Sequence, residues 1–341
     1  MSGPPVVTAI GLVSAAGDTS ESVLAAMLAR SAPASPVIDG FDAKRYIARK
    51  GVKDLSRLSQ LACSAAAANA RALPDVAPAD VGVVFGSAWG SLKTVIEFER
   101  EAHLQGPRFV DPILFTETVS NVPAGQVAIH YGWSAFNATV SAGTASGLAA
   151  LVQAVAFLAE GRGLVAVAGG GDETNPALIA ALRTRGWTGP PAGEGACFLT
   201  IEGEEHARRR GAGPLAAILA TAERFDDAPA GLIRTLLARA GVHASEIELV
   251  VLSASGAGVG DAEEARAVVE VFGDEDGGAL IVHPKSFLGE TWGASGVLAT
   301  AVAIEVMRTG ALRRRVERAL ILDRAVSGQQ LGLVLAAGSA A

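Results

Sequence analysis

Short apolar runs and longer stretches of helical period take turns along the chain. Residues 81–86 and 163–169 are nearly continuous in Val, Ala and Gly, which predicts strands buried on both faces. A strand is also expected at 6–13. Residues 55–73, 146–160, 261–272 and 295–308 hold apolar positions at helical spacing over lengths too great for a strand. Local signals mark their ends. Thr19-Ser-Glu-Ser opens a capped helix that runs to 30, Pro74 stops the helix at 55–73, and Pro123 sits in the first turn of a helix within 114–132. Further helices are expected at 92–104, 204–211 and 230–240. Further strands are expected at 138–140, 196–202, 215–222, 249–252, 279–283, 318–323 and 332–337. The Pro- and Asp-containing stretch 31–50 and the Gly/Pro-rich stretch 183–195 read as surface loops.

Strands and helices therefore alternate in two successive sets. An echo supports a duplication: Ala145-Ser-Gly-Leu-Ala-Ala-Leu is repeated as Ala294-Ser-Gly-Val-Leu-Ala-Thr. Small residues at both helix entrances let two such helices pack back to back. The expected halves are 1–195 and 196–341.

Composition narrows the class. Of 341 residues, 50% are apolar and 18% charged, so most elements are buried, as in a layered α/β protein. A net charge of −7 argues against a nucleic-acid partner. Cys63 and Cys197 cannot build a disulfide framework or a four-ligand metal site, and the five histidines show no metal-ligand spacing. No metal or other cofactor is expected. No apolar run nears the roughly 20 residues of a membrane span. The N-terminus lacks the basic flank of a signal peptide. The expectation is a soluble, cytoplasmic protein.

The candidate chemistry lies in 137–152. A strand end at 138–140 and a helix start at Ser146 enclose Ser141, Ala142, Gly143, Thr144 and Ala145. A turn of this kind aims a side chain into a crevice and leaves backbone N–H groups at a helix N-terminus. Enzymes often mount a nucleophile there. Thr144 occupies the deciding position.

Seven segments in order carry a resemblance to a known family. They are Val6-Val-Thr-Ala-Ile-Gly-Leu-Val-Ser, Pro123-Ala-Gly-Gln-Val-Ala-Ile-His-Tyr-Gly, Ala168-Gly-Gly, Gly193-Glu-Gly-Ala, Glu204-Glu-His-Ala-Arg-Arg-Arg-Gly-Ala, Gly260-Asp-Ala-Glu-Glu-Ala, and Pro284-Lys-Ser-Phe-Leu-Gly-Glu-Thr-Trp-Gly-Ala-Ser-Gly. Together they resemble the β-ketoacyl synthase branch of the thiolase fold. The resemblance implies an α/β chain of duplicated βαβαβαββ halves in a five-layer αβαβα arrangement. It also implies trimmed segments near 173–192 and 222–230, and a dimer contact formed by 81–104 and 108–130.

The family's reactive cysteine falls on Thr144. Its first histidine falls on Ser255, with Ser253 left open, and its second falls on Glu290. The family's lysine is retained as Lys285. The Gly-Phe-Gly-Gly loop becomes Ala325, Val326, Ser327 and Gly328. A threonine hydroxyl lacks the accessible anion of a thiol, and serine lacks the paired donor and acceptor of imidazole. A carboxylate at Glu290 opposes negative charge on a thioester oxygen. Joint loss of Cys-His-His implies no condensing activity by this chain alone. Such a chain resembles a chain-length factor, the partner of a cysteine-bearing ketosynthase in type II polyketide, fatty acid or polyene biosynthesis. Chain-length factors of aromatic systems carry Gln where this chain has Thr. The implied partners are that ketosynthase, in a heterodimer, and an acyl carrier protein. A homodimer is the alternative.

Other readings stay open beside this one. Lys285 and Glu290 can form an ion pair that holds loops together, or an acid/base pair. Thr144 with Glu290 as base would make a stand-alone acyltransferase or hydrolase. Ser146 reads as a packing residue at the helix entrance, and the two cysteines as packed thiols. Arg208–Arg210 and Arg313–Arg315 are solvated faces or a docking patch for an acidic carrier protein. Trp89, Trp133, Trp187 and Trp292 belong to the core or to a dimer interface.

Overall fold

The computed structural model describes residues 3–338 except 32, 34, 36, 49, 226–227, 255–260, 274–277 and 313–314. The first half runs β1 (Pro5–Ser14), α1 (Ser20–Leu28), α2 (Arg57–Arg71), β2 (Val81–Gly86), α3 (Leu92–Gln105), α4 (Pro112–Thr116), α5 (Val122–Tyr131), β3 (Asn137–Val140), α6 (Ser146–Ala159), β4 (Val165–Asp172), α7 (Pro176–Thr184) and β5 (Gly195–Gly203). A short α8 (Glu204–Arg209) leads to the second half. That half runs β6 (Ala216–Phe225), α9 (Pro229–Ala240), β7 (Leu249–Val251), α10 (Asp261–Phe272), β8 (Leu280–Val282), α11 (Lys285–Leu288), α12 (Ser295–Thr309), β9 (Arg318–Arg324) and β10 (Gln329–Ala337).

Strand order states the duplication. It reads β3-β2-β4-β5-β1-β6-β10-β9-β7-β8, so each half supplies five neighbouring strands. In each half three strands are parallel and the inner two antiparallel: β3, β2 and β4 match β8, β7 and β9. β5 and β1 match β10 and β6. Both halves therefore follow βαβαβαββ, with α7 added between β4 and β5 in the first. The two sheets meet edge to edge where Val6 and Val7 pair with Ala217 and Ala216. β5 lies between β4 and β1, so Gly195–Gly203 joins the five strands of the first half.

Three cores produce the five layers. The outer core of the first half packs α2 and α5 on Val81, Val83, Phe85, Val165, Val167 and Phe198. The outer core of the second half packs α9 and α10 on Val250, Leu320, Leu322 and Val334. The central core holds α1, α6 and α12 against Val84, Ala166, Leu199, Leu249, Ile321 and Leu333. Alternate residues of one strand enter different cores because side chains alternate across a sheet. This accounts for the continuous apolar runs.

α6 and α12 cross at the centre, as the Ala-Ser-Gly echo predicts. A methyl group on Gly147 would lie 2.1 Å from the Gly293 carbonyl oxygen, so only glycine admits this approach. α12 is buried from Ser295 to Met307. The predicted cap of α1 is present, with Thr19 and Ser22 bonded reciprocally. α7 falls where no element was expected. Asn175 caps it by accepting from the Leu178 N–H at 3.0 Å, and Pro176 occupies its first turn.

Candidate functional site

The turn between β3 and α6 is built as the sequence suggests. Gly143 adopts a left-handed φ of 57°, which reverses the chain before Thr144. Ser146 is fully buried; its hydroxyl donates to the Gly143 carbonyl at 2.6 Å and accepts from the Ala142 N–H at 2.9 Å. The Ala145 and Ser146 N–H groups bond back to the Ala142 and Gly143 carbonyls, both at 3.2 Å. Part of the N–H array expected to be free is thus spent inside the turn. Thr144 is 7% exposed, and its hydroxyl donates to the carbonyl oxygen of Arg324 at 2.9 Å.

Thr144 faces a cavity of about 420 Å³ whose wall includes Trp187, Ser253, Lys285, Glu290 and Arg324. Sequence positions from both halves meet there. Lys285 Nζ lies 3.0 Å from Glu290 Oε2. The other oxygen of Glu290 accepts from the Trp292 N–H and the Ser295 hydroxyl, each at 2.9 Å. The Glu290 backbone is also tied to the loop before β5: its N–H donates to Pro191 at 2.9 Å, and its carbonyl accepts from Gly193 at 2.8 Å. Side chain and backbone are both held.

Two further carboxyl groups back the lysine. Burial works against the Lys285 charge, but Glu290, Asp323 and Glu264 outweigh it and raise the ammonium well above its ordinary range. Asp323 is pushed up to about 7, chiefly by burial, with Lys285 opposing the rise. One oxygen of Asp323 accepts from the Arg324 N–H at 3.0 Å; the other finds no donor among the described residues. Burial also raises Glu264, which accepts from the Ser253 hydroxyl and from the Ala254 N–H at 2.8 Å. Ser255 lies outside the described residues. Of the loop 326–328, Val326 stands at the cavity mouth, 88% exposed, while Gly328 closes the β9–β10 turn onto Ala325 at 3.0 Å.

Four contributors escaped the sequence reading. Asp172 ends β4 and accepts from Ser87 Oγ at 2.6 Å, Ala88 N at 2.8 Å, Trp89 N at 2.9 Å and Gly293 N at 2.8 Å. Burial raises its pKa to about 6 against these donors. It clamps two loops from different halves. Arg324 pairs with Glu263 across the cavity wall. Asp323 and Glu264 lie behind Lys285. The Gly169-Gly-Gly-Asp172 strand end was the available signal for Asp172 and the Gly260-Asp-Ala-Glu-Glu-Ala segment that for Glu264; nothing local marks Asp323 or Arg324.

The remaining candidates separate clearly. Trp292 is 3% exposed at a φ of 51° and touches both Trp89 and Trp187. Trp187 lines the cavity. Cys63 and Cys197 are buried and free of disulfides, and burial raises the Cys197 thiol. Arg210 is drawn inward: Nε lies 2.9 Å from Glu202 Oε2, and Nη1 donates to Ala72 at 2.9 Å. Arg208 and Arg209 stay exposed, with Arg209 3.4 Å from Glu205, and Arg315 is exposed beside Glu317; 313–314 lie outside the described residues. No cluster suited to a metal ion occurs among the described residues.

Chemically, the site holds a hydroxyl already donating to a carbonyl and a carboxylate already matched to an ammonium.

Residues 6–197 match the model of the β-ketoacyl synthase N-terminal domain, and 217–317 that of its C-terminal domain. The chain is 27% identical to 3-oxoacyl-[acyl-carrier-protein] synthase 2 of Vibrio cholerae, over 88% of this chain and 84% of that one. It is 23% identical to the corresponding synthase of Coxiella burnetii, over 89% and 85%. Among solved structures, the ishigamide ketosynthase/chain length factor superposes with a TM-score of 0.85 at 27% identity, covering 98% of this chain and 99% of that one. A type II PKS acyl carrier protein in complex with its ketosynthase superposes at 0.84, over 98% and 99%; at 18% identity it shares the fold alone. The thiolase-like fold follows from these matches and from the strand order.

Proposed function

The chain belongs to the β-ketoacyl synthase family, and from that premise we propose that it is a non-condensing, chain-length-factor-like subunit of a cytoplasmic type II synthase. It works as the heterodimeric partner of a ketosynthase that carries the reactive cysteine. The observation that carries the reading is the state of Thr144. Its hydroxyl sits where the family's nucleophile belongs and is committed to the Arg324 carbonyl, while Glu290 is committed to Lys285. The likeness to the ishigamide ketosynthase/chain length factor supports the same assignment.

Two surfaces support the partners. Leu104, Phe109, Ile113, Phe115, Val119 and Ile129 are exposed large apolar residues in one stretch of sequence, and β3 is an edge strand of the sheet. Such a surface suits a second subunit. Exposed Lys44, Arg45, Lys50 and Lys53 form a basic segment on a chain of net charge −7 and suit an acidic acyl carrier protein.

The test is incubation of the purified chain with carrier protein bearing a radiolabelled acyl group. No label should transfer to this chain alone, whereas co-purification with its ketosynthase should yield a one-to-one complex that condenses. Stoichiometric label on Thr144 would sink the proposal in favour of a stand-alone acyltransferase or hydrolase.

A further inference from the structure

The charges of the cavity wall oppose a second anion. Asp261, Glu263 and Glu290 line it against Lys285 and Arg324. Both cations already face a carboxylate: Lys285 is 3.0 Å from Glu290, and Arg324 holds Glu263. Asp323 and Glu264 act on Lys285 from behind and are themselves buried. An entering carboxylate would have to compete with Glu290 or Glu263 for its cation, and the like charges already on the wall oppose it. Uncharged groups meet no such barrier. Trp187, Pro190, Ala325 and Val326 supply apolar wall for them, and the volume of about 420 Å³ lies within the range of small-ligand pockets.

Glu263 is the residue on which this balance turns. It stands in the first turn of α10 and neutralises the one arginine lining the cavity among the described residues. The same pair also lines a neighbouring cavity of about 410 Å³, so it stands in a wall that the two share.

Resting on the proposed function, under which this cavity lies at the family's acyl-handling site, we propose that the Glu263–Arg324 pair is a charge filter. It lets neutral acyl thioesters into the cavity and turns away acyl groups that carry a carboxylate.

The test is calorimetric titration of the full chain with hexanoyl-pantetheine and malonyl-pantetheine. The hexanoyl compound should bind saturably, and the malonyl compound at least ten-fold more weakly. Glu263→Gln keeps the shape and frees the guanidinium, so it should shrink that ratio toward one by tightening malonyl binding. Arg324→Gln, which keeps the backbone carbonyl facing Thr144, should leave the ratio at ten-fold or more. An unchanged thermal midpoint for each variant keeps the comparison on folded protein. Equal affinities in the parent chain, a ratio unmoved by Glu263→Gln, or no hexanoyl binding would each overturn the filter. Those outcomes leave the absence of label on Thr144 standing, and label on Thr144 leaves the ratio measurable.

Discussion

Thr144 and Arg324 lie 180 positions apart, yet the threonine hydroxyl donates to the arginine carbonyl at 2.9 Å. The donor comes from the turn before α6 and the acceptor from the end of β9, so each half closes the pocket of the other. A hydroxyl in this state gives its proton to an acceptor that cannot remove it.

Thr144→Ala should therefore leave product formation by the assembled complex unchanged. It should cost about 1 kcal/mol of stability, the usual net value of such a bond, read by urea denaturation. Thr144→Cys should install a thiol without installing condensation, because Glu290 still carries a carboxylate where the family uses imidazole. Product from that single variant in the absence of a partner would count against the proposed function.

Lys285 and Glu290 form a buried pair whose members are 10% and 5% exposed. Removing Glu290 takes away the carboxylate 3.0 Å from Lys285 and leaves only the more distant influence of Asp323 and Glu264, so Glu290→Ala should destabilise by up to about 3–5 kcal/mol. Replacing both, as Lys285→Met with Glu290→Leu, should cost clearly less than the single change. A double-mutant cycle on denaturation midpoints measures the coupling, and additive losses would contradict it.

Acid should stabilise this protein where it destabilises many others. Asp323 is held near 7 and Asp172 near 6, both by burial, against unfolded values near 4. A folded pKa above the unfolded one contributes stability that is complete below the unfolded value and is lost as pH rises through the folded value. For Asp323 alone that loss between pH 5 and pH 8 is about 2–3 kcal/mol. Thermal midpoints should fall over this window, and Asp323→Asn should flatten the slope. A parent protein whose midpoint rises from pH 5 to pH 8 would refute the assignment.

Two glycines give opposite expectations for the same substitution. Gly147→Ala drives a methyl group to 2.1 Å from the Gly293 carbonyl and should cost about 1–3 kcal/mol or more, with the α6–α12 contact forced apart. Gly125→Ala, inside α5 with nothing within 4 Å of its new methyl group, should stabilise by about 0.5–1 kcal/mol. Thermal unfolding of the two variants side by side distinguishes close packing from backbone entropy.

Much of the fold was legible because it is written in local periods. Apolar runs at 81–86 and 163–169 became β2 and β4, and the caps at Thr19 and Pro123 opened α1 and α5. α7 was missed because Asn175-Pro176 sits amid residues read as a trimmed cap segment, and only Leu178 of the helix is buried. Of the basic run Arg208–Arg210, read as a solvated face or a docking patch, Arg208 and Arg209 are exposed and Arg210 is drawn inward. Whether an arginine is solvated or drawn onto Glu202 depends on where β5 lies, which three adjacent arginines cannot reveal.

The sequence by itself determined the duplicated α/β order and the helix pair announced by Ala-Ser-Gly, and it pointed to Thr144, Glu290 and Lys285, which the structure brings to one cavity. These rest on neighbours in the chain, where backbone geometry and side-chain period act over a few residues. Only the tertiary structure decided what those side chains do. Arg324 quiets Thr144, Asp172 fastens Gly293 to the Ser87 loop, and Asp323 and Glu264 stand behind Lys285. Each of these relations joins separate elements across a ten-stranded sheet. Hydrogen bonds and charges act over a few ångströms of space, and the sheet order, not the spacing along the chain, brings those groups within reach.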